Sequence, residues 1–180
     1  MNPTHLVRRI RTLGRIAEPP PSRVPQVASG DGALASSEAV RPDRVTAAAH
    51  AFGGSVQIRH VDAGSCNGCE IEVGAAFGPV YDAERYGARL VASPRHADVV
   101  LVTGVVTHNM AEPLRRTVEA TPEPRLVLAV GDCARDCGVF RAGFGVRGSV
   151  GDVVEVDLQV PGCPPEPGAI VAALREVTGR

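Results

Sequence analysis

Asp62-Ala-Gly-Ser-Cys-Asn-Gly-Cys-Glu-Ile-Glu72 is the stretch that decides how this chain folds. An apolar run, 55–61, leads into it, and a helix-like run, 71–81, leads out. Cys66 and Cys69 therefore sit on a glycine-containing loop between a strand and a helix. Backbone N–H groups at such a helix start favour thiolates. Two thiolates are half of a soft-metal site, so the rest of the chain is read for the other half.

Outward from this loop, strands and helices alternate. The first strand is expected over about 55–62, the cysteine loop over 63–69 and a helix over about 70–83. A short strand follows at 89–92. The run Val-Val-Leu-Val within 98–103 is almost wholly apolar, as in a strand buried on both faces. A helix is expected over 110–119, with Pro113 tolerable only near its start. Leu-Val-Leu-Ala-Val within 125–130 is a second buried strand. A shorter strand is expected over 153–158, and a last helix over 167–177, with Pro167 at its start and Gly179 after its end. This alternation predicts an α/β fold: a flavodoxin-like doubly wound parallel sheet with an extended N-terminal arm.

In such sheets sites form beyond the carboxyl ends of the strands. Cys66 and Cys69 follow the first strand, Cys133 follows the 125–130 strand, and Cys163 follows the last one. Four thiolates gathered there suit a [4Fe–4S] cluster. Structural zinc more often takes two close pairs, whereas Cys133 and Cys163 stand far apart in sequence. C-x-x-C between a strand and a helix also fits a thiol–disulfide redox pair. Cys133 and Cys137 form a further possible pair. Pro161-Gly-Cys-Pro-Pro165 is a rigid turn, which favours Cys163 as a ligand and leaves Cys137 as a spare thiol beside the site. Glycines 64, 68, 131 and 162 flank these loops, as turn residues or for close backbone approach. Glu70 and Glu72 suit the helix dipole, with proton handling or partner contact as the alternative. His60, His96 and His108 lack metal-like spacing and read as structural. Arg135 and Arg141 read as partners of carboxylates rather than tuners of the site. No glycine-rich nucleotide loop stands after a strand.

The 180 residues leave room for one domain with a real core, and 44% hydrophobic residues fit a globular chain. Aromatics are only 3%, so the core must rely on Val, Ala, Leu and Ile. A net charge of −1 gives no electrostatic case for nucleic acid or an anionic membrane. No apolar run approaches the ~20 residues that span a bilayer. Arg8-Arg9 precedes no apolar h-region, so cytoplasm is expected, and five cysteines there favour metal or redox chemistry over structural disulfides. An Arg-rich segment, 1–17, and a Pro-, Ser- and Gly-rich stretch, 18–42, precede a short helix capped by Asp43. The division expected is 1–54, arm and linker, and 55–180, the cysteine-bearing α/β domain.

The cysteine loop, Gly131-Asp-Cys-Ala134 and Pro161-Gly-Cys-Pro-Pro165 together resemble the small, electron-transferring subunit of membrane-bound (group 4) [NiFe]-hydrogenases. That subunit shares a superfamily with the 20 kDa subunit of NADH:quinone oxidoreductase, respiratory complex I. The resemblance covers about residues 55–177. It implies one [4Fe–4S] cluster on Cys66, Cys69, Cys133 and Cys163, an electron-transfer role without catalysis by the chain alone, and a large partner subunit holding a Ni–Fe site. Further Fe–S and membrane subunits are implied, with the chain peripheral to the cytoplasmic face of the membrane. Cys137 stands where the family often has Gly. The quinone-reducing branch typically carries adjacent cysteines at the first motif. Asn67-Gly68 separates them here, which is similar to the hydrogenase pattern. The chain stops soon after the Cys163 helix, like the short, single-cluster form. The alternatives are the complex I type, passing electrons to quinone, and a C-x-x-C oxidoreductase.

Overall fold

A computed structural model describes residues 38–180. The expected arm lies, through residue 37, outside the described residues. Five parallel strands make the centre of a six-stranded sheet: β2 (Val56–Asp62), β3 (Ala88–Leu90), β4 (Val99–Thr103), β6 (Leu126–Val130) and β8 (Leu158–Val160). Across the sheet they run β3-β2-β4-β6-β8, and β1 (Glu38–Ala39) adds to β8 antiparallel. The chain thus winds one way from β2 to β3, crosses back to β4, and continues outward. That is the flavodoxin-like order, with its switch point between β2 and β4. A separate antiparallel ribbon pairs β5 (Val106–Thr107) with β7 (Val146–Gly148).

Period-two alternation sorts the strand residues onto two buried faces. Val99 and Leu101 of β4, with Leu126, Leu128 and Val130 of β6, face helices α1 (Pro42–Phe52), α2 (Gly68–Ala76) and α5 (Pro167–Thr178). Val100, Val102, Val127 and Ala129 face α3 (His108–Ala120) and the short α4 (Asp132–Asp136). Both central strands are buried at every residue, which is why their sequences are continuous apolar runs rather than alternating ones. Leu114 alone is fully buried from α3. Truncating such a leucine to alanine costs about 2–5 kcal/mol.

Several boundaries differ from the sequence reading, each for a local reason. The helix after the cysteine loop stops at Ala76, where the Phe77 N–H bonds back to the Val73 carbonyl and the Gly78 N–H to that of Ala75, and Gly78-Pro79 cannot continue it. Residues Ala83–Tyr86 form a separate 3₁₀ turn. The last strand lies at Leu158–Val160, later than 153–158, because Ser149 and Asp152 close a capping box around a 3₁₀ turn at Val150–Asp152. Pro113 sits inside α3, which begins at His108. Arg41, not Asp43, is the N-cap of α1, with Pro42 in its first turn and Gly53 in the left-handed conformation at its end. Helix α1 belongs to the core: Val45 and Ala48 are buried with the α5 cluster. Ion pairs hold its start to the strand edge. Arg41 reaches Glu155 at 2.7 Å, and Arg44 Nη1 stands 3.2 Å from Asp157 Oδ1. Asp157 is 1% exposed and its Oδ2 accepts the Val127 N–H, yet burial still pushes its carboxyl above the ordinary value.

Candidate metal centre

The cysteine loop is shaped by its neighbours before its thiols are considered. At the end of β2, Asp62 Oδ1 accepts the N–H groups of Gly64 (2.9 Å) and Ser65 (2.8 Å) and turns the chain. Burial opposes the ionised Asp62 carboxyl, but these bonds and the Ser65 hydroxyl hold it below the ordinary carboxylate value. Ser65 Oγ accepts the Asn67 N–H at 3.0 Å and donates to Glu70 Oε2 at 2.6 Å. Asn67 takes a left-handed φ of 72°, which asparagine tolerates better than most residues, and α2 starts at once behind it. Glu70 is therefore a brace inside the loop as well as a carboxylate at a helix start. Its Oε1 is buried without a hydrogen bond, 3.8 Å from His60 Nε2, and that same nitrogen lies 2.9 Å from Thr103 Oγ1. Burial lowers the His60 pKa, against the pull of Glu70 and Asp62. His60 reads as structural here, as its spacing implied.

Two glycines let the strand-end loops close on one another. Gly104, beyond β4, has φ +76°, and a Cβ there would fall 2.4 Å from the Ser65 nitrogen. The backbone after β4 thus lies directly on the cysteine loop at the switch point. Gly131, beyond β6, has φ +92°, and its Cβ would fall 2.6 Å from the Cys69 sulfur and 3.5 Å from the Gly162 carbonyl oxygen. Three cysteine-bearing loops meet at this residue. Gly68 differs: a Cβ there would make an ordinary 3.5 Å contact with the Cys66 sulfur.

The β6 and β8 loops are also tied by hydrogen bonds. The N–H groups of Gly131 and Asp132 donate to the carbonyls of Val160 and Gly162, both at 2.8 Å. Gly162 N–H returns a bond to Asp132 Oδ1 at 3.0 Å. Cys133 and Cys163 are thereby brought together at the same sheet edge as Cys66 and Cys69. Cys69 and Cys133 are buried, whereas Cys66 and Cys163 are exposed. Burial, then the charges of Glu70, Cys133, Cys66 and Cys163, pushes the Cys69 thiol up to about 12. Burial, then Cys163 and Cys66, pushes Cys133 up to about 11, and the Cys133 and Cys163 thiols lie within hydrogen-bonding reach. Cys69 thus feels the other three thiols, and Cys133 feels Cys163 and Cys66. Four thiolates so placed repel strongly unless cations lie among them.

Cys137 packs with Cys133 and Val105 in a small buried cluster. It ends α4 with a left-handed φ of 71°, is buried, and feels the charges of Asp152, Arg141 and Asp136 rather than those of the other thiols. Arg135 lies 3.5 Å from Asp132 and 3.3 Å from Asp136, and Arg141 donates to the Asp136 carbonyl at 3.0 Å. Arg135 pairs with carboxylates, as expected, whereas the bond from Arg141 goes to a backbone carbonyl.

The donor set suits a cluster. It is all thiol, it comes from three loops, and the Gly131 cradle leaves no Cβ against the Cys69 sulfur. Among the described residues, no three His, Cys, Asp or Glu side chains gather closely enough to hold one metal ion. The sequence reading did not foresee Ser65, Gly104 or the Asp132 side chain as parts of the site. Asp132 and Gly104 lay in view beside a motif and a strand end, but only the fold shows what they touch.

A family model described as NADH ubiquinone oxidoreductase, 20 Kd subunit, matches residues 66–177. The chain is 48% identical, over 120 residues, to the probable membrane-bound hydrogenase subunit mbhJ of Pyrococcus furiosus, covering 67% of this chain and 72% of that one. It is 44% identical over 115 residues to formate hydrogenlyase subunit 7 of Escherichia coli, covering 64% of this chain and 45% of that protein. Among solved structures, a chain of the membrane-bound sulfane sulfur reductase, an archaeal respiratory membrane complex, superposes with a TM-score of 0.63 at 30% identity, over 73% of this chain and 72% of that one.

Proposed function

The chain belongs to the NADH ubiquinone oxidoreductase 20 Kd subunit family, and we propose that it is the small electron-transfer subunit of a membrane-associated, hydrogenase-type complex. One observation supports this: Cys66, Cys69, Cys133 and Cys163 follow three parallel strands that end at one sheet edge, where Gly131 lies against the Cys69 sulfur and Asp132 and Gly162 bond the other two loops together. In this reading they hold one [4Fe–4S] cluster. When bound, such a cluster supplies reversible one-electron storage.

The chain's own residues do the rest. Cys69 and Cys133 anchor the buried side of the site, and Cys66 and Cys163 present its exposed side. Low exposure and close backbone at Gly131 set the polarity around the sulfurs, which is the protein's lever on potential. Arg135 adds little uncompensated charge, because Asp132 and Asp136 face it. Ile71, two residues after Cys69, and Val139 and Phe144, in the segment that follows Cys133 and α4, are exposed. Apolar side chains in such numbers beside a site fit a protein partner. That partner is proposed to be a large subunit with the Ni–Fe centre, joined by further Fe–S and membrane subunits on the cytoplasmic side. Among the described residues no helix is long and apolar enough to cross a membrane, so attachment would run through those subunits. Likeness to the Pyrococcus furiosus hydrogenase subunit and the Asn67-Gly68 spacing support this branch over the quinone-reducing one.

Anaerobic purification from the native host tests the reading. The expected result is brown protein with about four iron and four sulfide per chain, bleached by Cys163→Ala, co-purifying with a large subunit that carries two C-x-x-C pairs. Colourless protein after anaerobic reconstitution, or a large subunit lacking those pairs, would overturn it.

A further inference from the structure

We propose that Asp132 is a positioning residue that holds the Cys133 and Cys163 loops in register for the cluster. The inference rests on the cluster reading above and goes beyond the four ligands. Asp132 bonds to Gly162 twice, in opposite senses. Its own N–H donates to the Gly162 carbonyl at 2.8 Å, and its carboxylate Oδ1 accepts the Gly162 N–H at 3.0 Å. Gly162 and Asp132 are the residues immediately before Cys163 and Cys133. The reciprocal pair therefore fixes two ligands' Cα positions against each other across a long loop in sequence.

The third ligand is fixed from the same place. Gly131, one residue earlier, is in contact range of the Cys69 sulfur and of the Gly162 carbonyl. Its N–H is bonded to Val160, so the backbone 131–132 cannot shift without moving the end of β8. Backbone pairing alone would fasten this loop on one side. The carboxylate closes the other side by taking a loop N–H that has no other described acceptor. Arg135, 3.5 Å away, balances the Asp132 charge, so what the side chain supplies is geometry rather than a free negative charge near the thiolates. The assignment thus predicts that the acceptor oxygen matters and the charge does not.

Three full-chain proteins separate these roles: wild type, Asp132→Asn and Asp132→Ala, each reconstituted anaerobically. Asparagine keeps an oxygen that can accept the Gly162 N–H, and alanine does not. Asp132→Ala is expected to hold iron about 10–100-fold more weakly in competition with a chelator, the range for removing partners of metal ligands. Its reduced cluster is expected to show shifted and broadened EPR signals. Asp132→Asn should retain wild-type iron and signals. Amide hydrogen exchange by NMR supplies a readout independent of the cluster: Gly162 N–H should exchange faster in the alanine variant while Val127–Val130 of β6 stay protected, which also shows that the variant is folded. Wild-type behaviour of Asp132→Ala in chelation, EPR and Gly162 exchange would overturn the proposal. So would Asp132→Asn behaving like the alanine variant. If the wild-type chain takes up no iron, the cluster reading fails, and unchanged Gly162 exchange in Asp132→Ala would separately sink the clamp.

Discussion

At the scale of single residues, five cysteines stand near four proposed ligand positions. Cys133 and Cys137 are four apart and share a small buried cluster with Val105; the Cys133 thiol lies within reach of Cys163, whereas the charges acting on Cys137 are those of Asp152, Arg141 and Asp136. Cys137 also occupies a left-handed φ of 71°, where a Cβ costs energy that glycine avoids. In Cys137→Gly, relief of that strain offsets the lost burial of the thiol, so stability should stay within about 1 kcal/mol of wild type. Iron and sulfide content should be unchanged, in contrast to Cys163→Ala, and a colourless Cys137→Gly protein would make this thiol a ligand. Asp152 supplies a pH test nearby. Its carboxylate takes the Ser149 N–H and hydroxyl at 2.8 Å each, and those bonds hold it below its ordinary value of 3.8. A depressed pKa means that the unfolded chain binds the proton first as pH falls. The stability it adds is present above pH 3.8 and lost as pH drops through the folded value. Urea midpoints of wild type and Asp152→Asn should therefore differ at neutral pH and converge at pH values below the folded pKa. An equal gap at both ends would refute the assignment. The four proposed ligand positions stood out in the sequence because thiols after strands are a strong signal. Ser65 and the Asp132 side chain did not, because a serine or aspartate beside a turn has many ordinary uses, and only the neighbouring loop gives it one here.

At the scale of elements, the site is a product of how strand ends meet. The apolar runs of β4 and β6 announced buried strands, and their alternation with helices gave the parallel sheet. Short or irregular pieces stayed hidden: β1, the β5–β7 ribbon and α4 have too few residues to carry a period. The end of α2 was misread because 77–83 keeps apolar residues although Gly78-Pro79 halts the helix. Close backbone contact is equally invisible in sequence. Gly104 shows it most plainly, since it stands after β4, far from any cysteine in sequence, and packs on Ser65. Gly104→Ala combines a left-handed φ with a backbone overlap at 2.4 Å. It should destabilise the chain by about 2–4 kcal/mol. Because the displaced backbone is the cysteine loop itself, cluster retention should fall alongside the thermal midpoint. An exposed glycine such as Gly53, with nothing near its missing Cβ, gives the control: φ strain without a neighbour to push. If Gly104→Ala cost no more than Gly53→Ala, the loop-on-loop contact would have no energetic weight.

At the scale of the whole molecule, the doubly wound sheet explains why distant cysteines share one edge. Every parallel strand ends on the same side, so residues just past β2, β6 and β8 gather there whatever the intervening length. The segment after α4 starts at the site, since a Cβ on Gly138 would fall 3.3 Å from the Cys133 sulfur, and its residues 139–144 are exposed. In that segment Val139 is 81% exposed and Phe144 is fully exposed, a costly display for a chain with so few aromatics. Neither side chain is among the buried core residues, so the fold does not need them. Their exposure makes sense if a partner covers them when it approaches the outward-facing Cys66 and Cys163. The double variant Val139→Asp, Phe144→Asp tests this without touching a ligand. Charges on an exposed loop should leave the thermal midpoint and the iron content of the isolated chain near wild type, since surface substitutions usually change stability by about 0.5 kcal/mol or less. Two buried charges without partners, however, would be strongly unfavourable in an interface core. Recovery of the large subunit in affinity purification of tagged chain should drop sharply, and full recovery would place the partner's contact elsewhere on the molecule.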